Sequence, residues 1–239
     1  MIYLRSSFFY LGYLTSGFLF GFLGCIICPL LSLKLRIKFL SMWPRFSNWL
    51  LYKSCDIKVV VLGAEGIPEP PFVVVSNHQG QWETFYFQYL FFPLITLLKK
   101  ELLLIPFWGW SLALLKPISI DRGNPTTALR KVLNEGKERI NEGLSVLFFP
   151  EGTRSKPKEV GKYARSGFEL AKKCEVPVIP MAHNSGTCWP AHRFLKYPGN
   201  IILKIGLPLK DFSSTKEAAK SVEEWTRKEI LEFQNALNV

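Results

Sequence analysis

Phe72-Val73-Val74-Val75-Ser76-Asn77-His78-Gln79-Gly80-Gln81-Trp82-Glu83 is the stretch from which the rest of the chain can be read. Four apolar, mostly β-branched residues stop abruptly at a polar turn, and an aromatic run that opens with Trp82 and Glu83 follows. A short apolar run bounded by turn residues reads as a buried strand, and the segment after it reads as the start of a helix. The same unit recurs along the chain. Strand-like runs fall at residues 57–62, 72–75, 94–98, 118–120, 145–149, 176–181 and 201–205. Helical patterns fall between or after them, most clearly at residues 126–142, 163–173 and 215–237. Glu135-Gly136 and Glu142-Gly143 punctuate the first of these helices, so its end is left open. This alternation predicts an α/β domain with a mainly parallel mixed sheet flanked by helices. Pro68 to Pro71 read as a loop entering the second strand.

The amino-terminal part has a different character. Residues 6–33 carry no charge. As a helix that run is about 42 Å long, against about 30 Å of bilayer hydrocarbon. It is long enough to span, or to break into two buried pieces at Gly12, Gly17, Gly21, Gly24 or Pro29. It is too long for a cleaved signal peptide and has no A-x-A-like site behind it. A lipoprotein box is only faintly echoed in Phe22-Leu23-Gly24-Cys25, and a buried core helix is the remaining alternative to a membrane segment. Lys34, Arg36, Lys38, Arg45 and Lys53 follow the run, and only Arg5 precedes it. The positive-inside rule therefore puts the following domain in the cytoplasm. Trp43, Trp49 and Tyr52 among those cations read as an interfacial collar. The division expected is a membrane anchor and basic aromatic segment at residues 1–56, then the α/β domain at 57–239.

The net charge of +11 suits nucleic acid, anionic lipid or an acidic carrier protein. The basic aromatic segment beside an apolar run favours membrane lipid and argues against nucleic acid. Five scattered cysteines do not form a disulfide framework, and Cys25 and Cys28, although spaced C-x-x-C, lie inside the apolar run. They read as two small buried side chains.

Common catalytic signatures are absent: there is no G-x-S-x-G, G-x-G-x-x-G, P-loop or H-E-x-x-H. What remains is His78 at a strand end and a carboxylate, Glu83, five residues on. Along one continuous helix five residues would set the side chains about 140° apart. With His78 on the loop and Glu83 in the first helical turn, the carboxylate can fold back onto the imidazole and fix its tautomer. A second block, Phe148-Phe149-Pro150-Glu151-Gly152-Thr153-Arg154-Ser155, also follows an apolar strand. Gly152 permits unusual backbone angles, Thr153 and Ser155 offer hydroxyls, and Arg154 offers a fork suited to phosphate. Such a turn can cradle an anion or be an ordinary polar loop.

Together the two blocks are more specific, and the chain resembles the glycerolipid acyltransferase family, in particular its 1-acylglycerol-3-phosphate acyltransferases. That family carries an N-H-x4-D block and an F-P-E-G-T-R-S block, both strand-ended and in this order. Between them it has a basic block, similar to Lys99-Lys100-Glu101 through Ile105-Pro106-Phe107-Trp108-Gly109-Trp110 to Ile118-Ser119-Ile120-Asp121-Arg122. A fourth block resembles Val176-Pro177-Val178-Ile179-Pro180, so the likeness covers residues 57–207. The resemblance implies that His78 takes the proton of an acceptor hydroxyl, which attacks an acyl thioester directly, without an acyl-enzyme. It implies that Glu83, in place of the family's aspartate, orients the histidine. Gly152, Thr153 and Arg154 would hold the acceptor's phosphate with help from Arg122 and Lys100. Asn77, Glu151 and Ser155 would support the motifs, Glu151 by tying its turn together. No cofactor and no metal are implied. The donor would be acyl-CoA or acyl-carrier protein, the acceptor a lysophospholipid, and the product phosphatidic acid. Glutamate at position 83 leaves open another lyso-lipid acceptor, such as a lyso-aminolipid. A membrane-anchored lipid-binding protein without chemistry is the alternative of another class, and an intact His78 and Glu83 pair argues against it. His183 and His192 match no catalytic block and read as ordinary histidines.

Overall fold

The computed structural model describes residues 1–120 and 125–237. Three helices, α1 (Ile2–Ile27), α2 (Leu33–Leu40) and α3 (Met42–Cys55), lead into β1 (Ile57–Leu62) and β2 (Val73–Ser76). Then come α4 (Trp82–Leu90), β3 (Leu94–Lys99), α5 (Trp108–Ala113), β4 (Ile118–Ile120), α6 (Pro125–Asn141) and β5 (Ser145–Phe148). The chain closes with α7 (Ser166–Cys174), β6 (Val178–His183), α8 (Ser185–Cys188), β7 (Gly199–Ile205) and α9 (Thr215–Leu237).

Among the described residues the strands form one seven-stranded sheet in the order β1-β7-β6-β2-β5-β3-β4. Every pairing is parallel except that of β6 with β7. β2, β5 and β6 are buried on both faces, which is why they read as unbroken apolar runs rather than alternating ones. Side chains still alternate between faces with a period of two. Val73, Val75, Val146, Phe148 and Val178 pack into the core shared with α6, α7 and α9. Val74, Leu147, Ile179, Met181 and Leu203 face the opposite core, with Trp82 and Phe87 of α4, Phe9 and Tyr13 of α1, and Trp43 and Leu51 of α3.

The first 55 residues thus share a core with the sheet. α1 runs unbroken through its glycines, which are close-contact positions and not bends. A Cβ on Gly21 would lie 2.8 Å from the backbone of Trp108, and one on Gly24 would lie 2.8 Å from Ser111 Cβ. Trp43, expected in an interfacial collar, is buried and donates its indole N–H to Ser16 Oγ at 3.1 Å. Trp49 and Tyr52 are exposed. The opposite face of α1 exposes Leu4, Phe8, Leu11, Leu14 and Phe18.

α6 matches the helix read at 126–142 and ends at Asn141, whereas α7 is shorter at its start than read. α6 passes straight through Gly136, where a Cβ would come within 2.6 Å of Leu170 Cδ2; the glycine lets α6 and α7 approach closely. α7 starts at Ser166, not 163. Tyr163 N–H goes to Glu223 Oε2 at 2.8 Å and Ala164 N–H to the Pro150 carbonyl at 3.0 Å.

Candidate active site

β2 and β5 are hydrogen-bonded parallel neighbours in the middle of the sheet, so both end at the same edge. That topology brings together two motifs separated by 73 residues. Crevices outside the carboxyl ends of parallel strands are where α/β sheets bind ligands.

His78 lies on the loop after β2, and Glu83 in the first turn of α4. The loop therefore turns the carboxylate back: His78 Nδ1 is 2.8 Å from Glu83 Oε1. The same oxygen accepts the backbone N–H groups of Gln79 at 2.7 Å and Gly80 at 2.6 Å. Oε2 accepts the hydroxyl of Ser185 at 2.8 Å. Glu83 is fully buried, and burial alone would raise its carboxyl pKa. The facing imidazoles of His183 and His78, the hydrogen bond from His78 and that from Gly80 outweigh burial and hold it well below the usual carboxylate range. Glu83 is thus an anion at neutral pH, so Nδ1 carries the proton of His78. The lone pair is left on Nε2, the atom a general base needs. The ring stacks on Phe149 with centroids 4.2 Å apart, and its side chain keeps 12% exposure.

Glu151 joins the two motifs. Its Oε1 accepts His78 N–H at 2.8 Å; its Oε2 accepts Gly161 N–H at 2.7 Å and a short hydrogen bond from Ser155 Oγ. Ser155 N–H returns to the His78 carbonyl at 2.8 Å. Gly152 makes the turn with φ of +69°, a left-handed angle that favours glycine. The turn leaves Gly152, Thr153 and Arg154 on the wall of a cavity of about 1770 Å³ that also takes in His78. Its lining includes apolar side chains, among them Ile37, Leu40, Leu97, Leu112, Leu115 and Val132, and the cations Arg154, Lys162, Arg165 and Lys216 alongside the carboxylates Glu151, Glu169 and Glu223.

The arrangement sets an imidazole able to accept a proton and a turn carrying Arg154 on the lining of one partly apolar cavity. Comparison with known proteins gives the same direction. The family model described as Acyltransferase matches residues 58–184. A 1-acyl-sn-glycerol-3-phosphate acyltransferase of Pseudomonas aeruginosa is 45% identical over 204 residues, covering 85% of this chain and 79% of the relative. The chain belongs to the acyltransferase family. A Saccharomyces cerevisiae enzyme of the same name is 28% identical, over 97% of this chain and 77% of its own. The crystal structure of the 1-acyl-sn-glycerophosphate (LPA) acyltransferase PlsC from Thermotoga maritima superposes with a TM-score of 0.80 at 27% identity. That match covers 97% of this chain and 95% of the other.

In this acyltransferase the residues singled out in the two motifs converge, whereas those of the intervening basic block do not all do so. Lys100 is exposed at the end of β3 and outside the cavity wall; its neighbour Lys99 lies on the wall. Alternation along the strand end exchanges the two, and a run of two lysines carries no signal to choose between them. Arg122 lies outside the described residues. Asn77 is buried, and its side chain faces the backbone of His183. Residues not expected at the site are present too, among them Ser185 on the Glu83 carboxylate and Lys162, Arg165 and Lys216 on the cavity wall. None of these sits in a recognisable motif. His192 also lies on the cavity wall.

Proposed function

We propose that this acyltransferase moves an acyl chain from an acyl thioester to the free hydroxyl of 1-acyl-glycerol-3-phosphate, with His78 as general base. The product is phosphatidic acid, in phospholipid biosynthesis. The observation that carries the reading is the Glu83–His78 pair, its carboxylate fully buried, with His78 and Arg154 lining one cavity.

In this course Nε2 takes the hydroxyl proton as the oxygen attacks the thioester carbonyl. The tetrahedral intermediate collapses by breaking the carbon–sulfur bond, and the imidazolium returns its proton to the leaving thiolate. Glu83 stabilises the imidazolium between the two steps. Arg154, beside Gly152 and Thr153, pairs with the acceptor's phosphate, and Lys99 adds charge nearby. The cavity exceeds the roughly 300–1,000 Å³ of a small-molecule site, in keeping with two lipid-sized reactants. Coenzyme A and an acyl-carrier protein both present such a thioester.

The exposed apolar face of α1 supports membrane association. The docking of α1 on the domain along its other face supports a helix lying in the interface rather than crossing as a separate span. Lys34, Arg36 and Lys38 beside it suit the anionic lipid of a cytoplasmic leaflet. The test is thiol release from an acyl thioester by the purified protein in mixed micelles. Release that depends on lysophosphatidic acid is expected; equal release without it, or with a phosphate-free lyso-acceptor, would refute the assignment.

A further inference from the structure

The end of β6 stands directly behind the catalytic pair. The β2–β6 backbone ladder pairs Ser76 with Met181 and then continues through a side chain. Asn77 Nδ2 donates to the His183 carbonyl at 2.9 Å, and Asn77 Oδ1 accepts His183 N–H at 3.1 Å. The imidazole of His183 completes the clasp. Its Nδ1 faces Ser185 N–H at 3.3 Å and so acts as acceptor. The proton is therefore on Nε2, which donates to the Asn77 carbonyl at 2.9 Å. That carbonyl belongs to the peptide joining Asn77 to His78. With His78 N–H held by Glu151, both polar groups of this peptide plane are engaged.

The same segment reaches the carboxylate. Ser185 is fully buried and supplies the described hydrogen bond to Glu83 Oε2, whereas Oε1 takes the other three. The His183 ring also packs edge-on to Trp82 and Phe87 of α4, the helix that carries Glu83, at 5.9 Å from each. An apolar side chain would fill that volume equally well. What it would lack is the shorter of the two donors to the Asn77 carbonyl, leaving only Ser76 Oγ at 3.2 Å, and an acceptor for Ser185 N–H, and lost or unpaired buried hydrogen bonds are costly.

We infer that His183 and Ser185 are positioning residues for acyl transfer, His183 fixing the peptide that presents His78 and Ser185 fixing the far oxygen of Glu83. This rests on His78 being the general base. Neither residue touches the reacting atoms; each acts through a member of the pair.

The test uses the full chain, with folding checked by thermal unfolding, and four variants: Ser185→Ala, His183→Leu, His183→Gln and His78→Ala. Ser185→Ala should lower kcat about tenfold, the worth of a hydrogen bond to a charged group, and leave both KM values within about twofold. It should also move the acid limb of the kcat/KM profile upward by about half a pH unit to one unit, because a carboxylate with one donor fewer favours the imidazolium more strongly. His183→Leu should lower kcat by about ten- to a hundredfold. His183→Gln, whose amide can still donate to the Asn77 carbonyl, should recover most of that loss. Loss of chain stability alone would reduce active enzyme without moving the pH limb. With His78→Ala inactive, an unmoved limb and unchanged kcat in Ser185→Ala would overturn the role of Ser185. His183→Gln no more active than a folded His183→Leu, or than one-hundredth of wild type if the leucine variant does not fold, would overturn that of His183. Near wild-type turnover by folded His78→Ala would instead remove the general-base reading itself.

Discussion

Replacing Glu83 by glutamine removes a charge while keeping most of the geometry, which makes it the most informative single change at this site. The carboxylate accepts from His78 Nδ1, Gln79 N–H and Gly80 N–H on one oxygen and from Ser185 Oγ on the other. A glutamine with its carbonyl at the Oε1 position retains the first three bonds. Its NH2 group then faces Ser185, whose hydroxyl can rotate to accept. The variant should therefore fold, and what it loses is the attraction between carboxylate and imidazolium once His78 takes the proton. Two unit charges about 4 Å apart are worth about 4 kcal/mol at an effective dielectric of about 20. His78 is only 12% exposed, so solvent screens that attraction little. About 4 kcal/mol corresponds to on the order of a thousandfold in rate. The glutamine can also turn its amide toward Nδ1, which selects the wrong tautomer and adds to the loss. The assay is thiol release under saturating donor and lysophosphatidic acid, with unfolding curves as a check on the fold. kcat should fall by about a thousandfold with modest changes in KM, and adding His78→Ala should cost little beyond His78→Ala alone, because the two act as a unit. A folded Glu83→Gln protein within tenfold of wild type would refute the charge argument.

The remaining predictions concern binding, docking and pH. Arg154→Ala should raise the apparent KM for lysophosphatidic acid about ten- to a hundredfold and leave that for the thioester nearly unchanged, measured by varying each substrate in turn. Gly21→Ala puts a Cβ 2.8 Å from Trp108 backbone atoms, which cannot swing aside as a side chain can. Thermal or denaturant unfolding should show a loss of about 1–3 kcal/mol, and an unaltered midpoint would contradict the close docking of α1. Phe8→Glu with Leu11→Glu alters two exposed positions on α1 and should reduce sedimentation with phospholipid vesicles while leaving the unfolding midpoint unchanged. Because the folded-state pKa of Glu83 is depressed, the stability it contributes is present above the unfolded value of about 4.3 and fades as pH falls below it. Wild type should accordingly lose stability relative to Glu83→Gln as pH falls below about 4.3, read from unfolding curves of both proteins in acid.

The alternation of apolar runs and amphipathic segments was enough to read the α/β class, because a strand buried on both faces must be apolar throughout and a helix on one face must be striped. His78, Glu83 and the Glu151–Ser155 turn were legible for a related reason: strand ends followed by polar turns are local features, and the chemistry resides in residue types. Strand order is not local. That β2 and β5 are neighbours, and so bring the two motifs to one edge, is decided by packing across the sheet. The glycines of α1 and Gly136 read as possible bends or punctuation in the sequence, yet each marks a close approach to a residue distant along the chain, such as Trp108 for Gly21 or Leu170 for Gly136. His183 and Ser185 carry no motif, since their relation to Glu83 and Asn77 exists only once β6 lies beside β2. Lys99 and Lys100 were interchangeable as letters, and the direction in which the chain leaves β3 puts only the first on the cavity wall. The sequence by itself therefore determined the kinds of element and the kind of chemistry, which depend on short-range pattern. Only the tertiary structure decided which side chains meet, because contacts between residues far apart in the chain are set by how the layers pack.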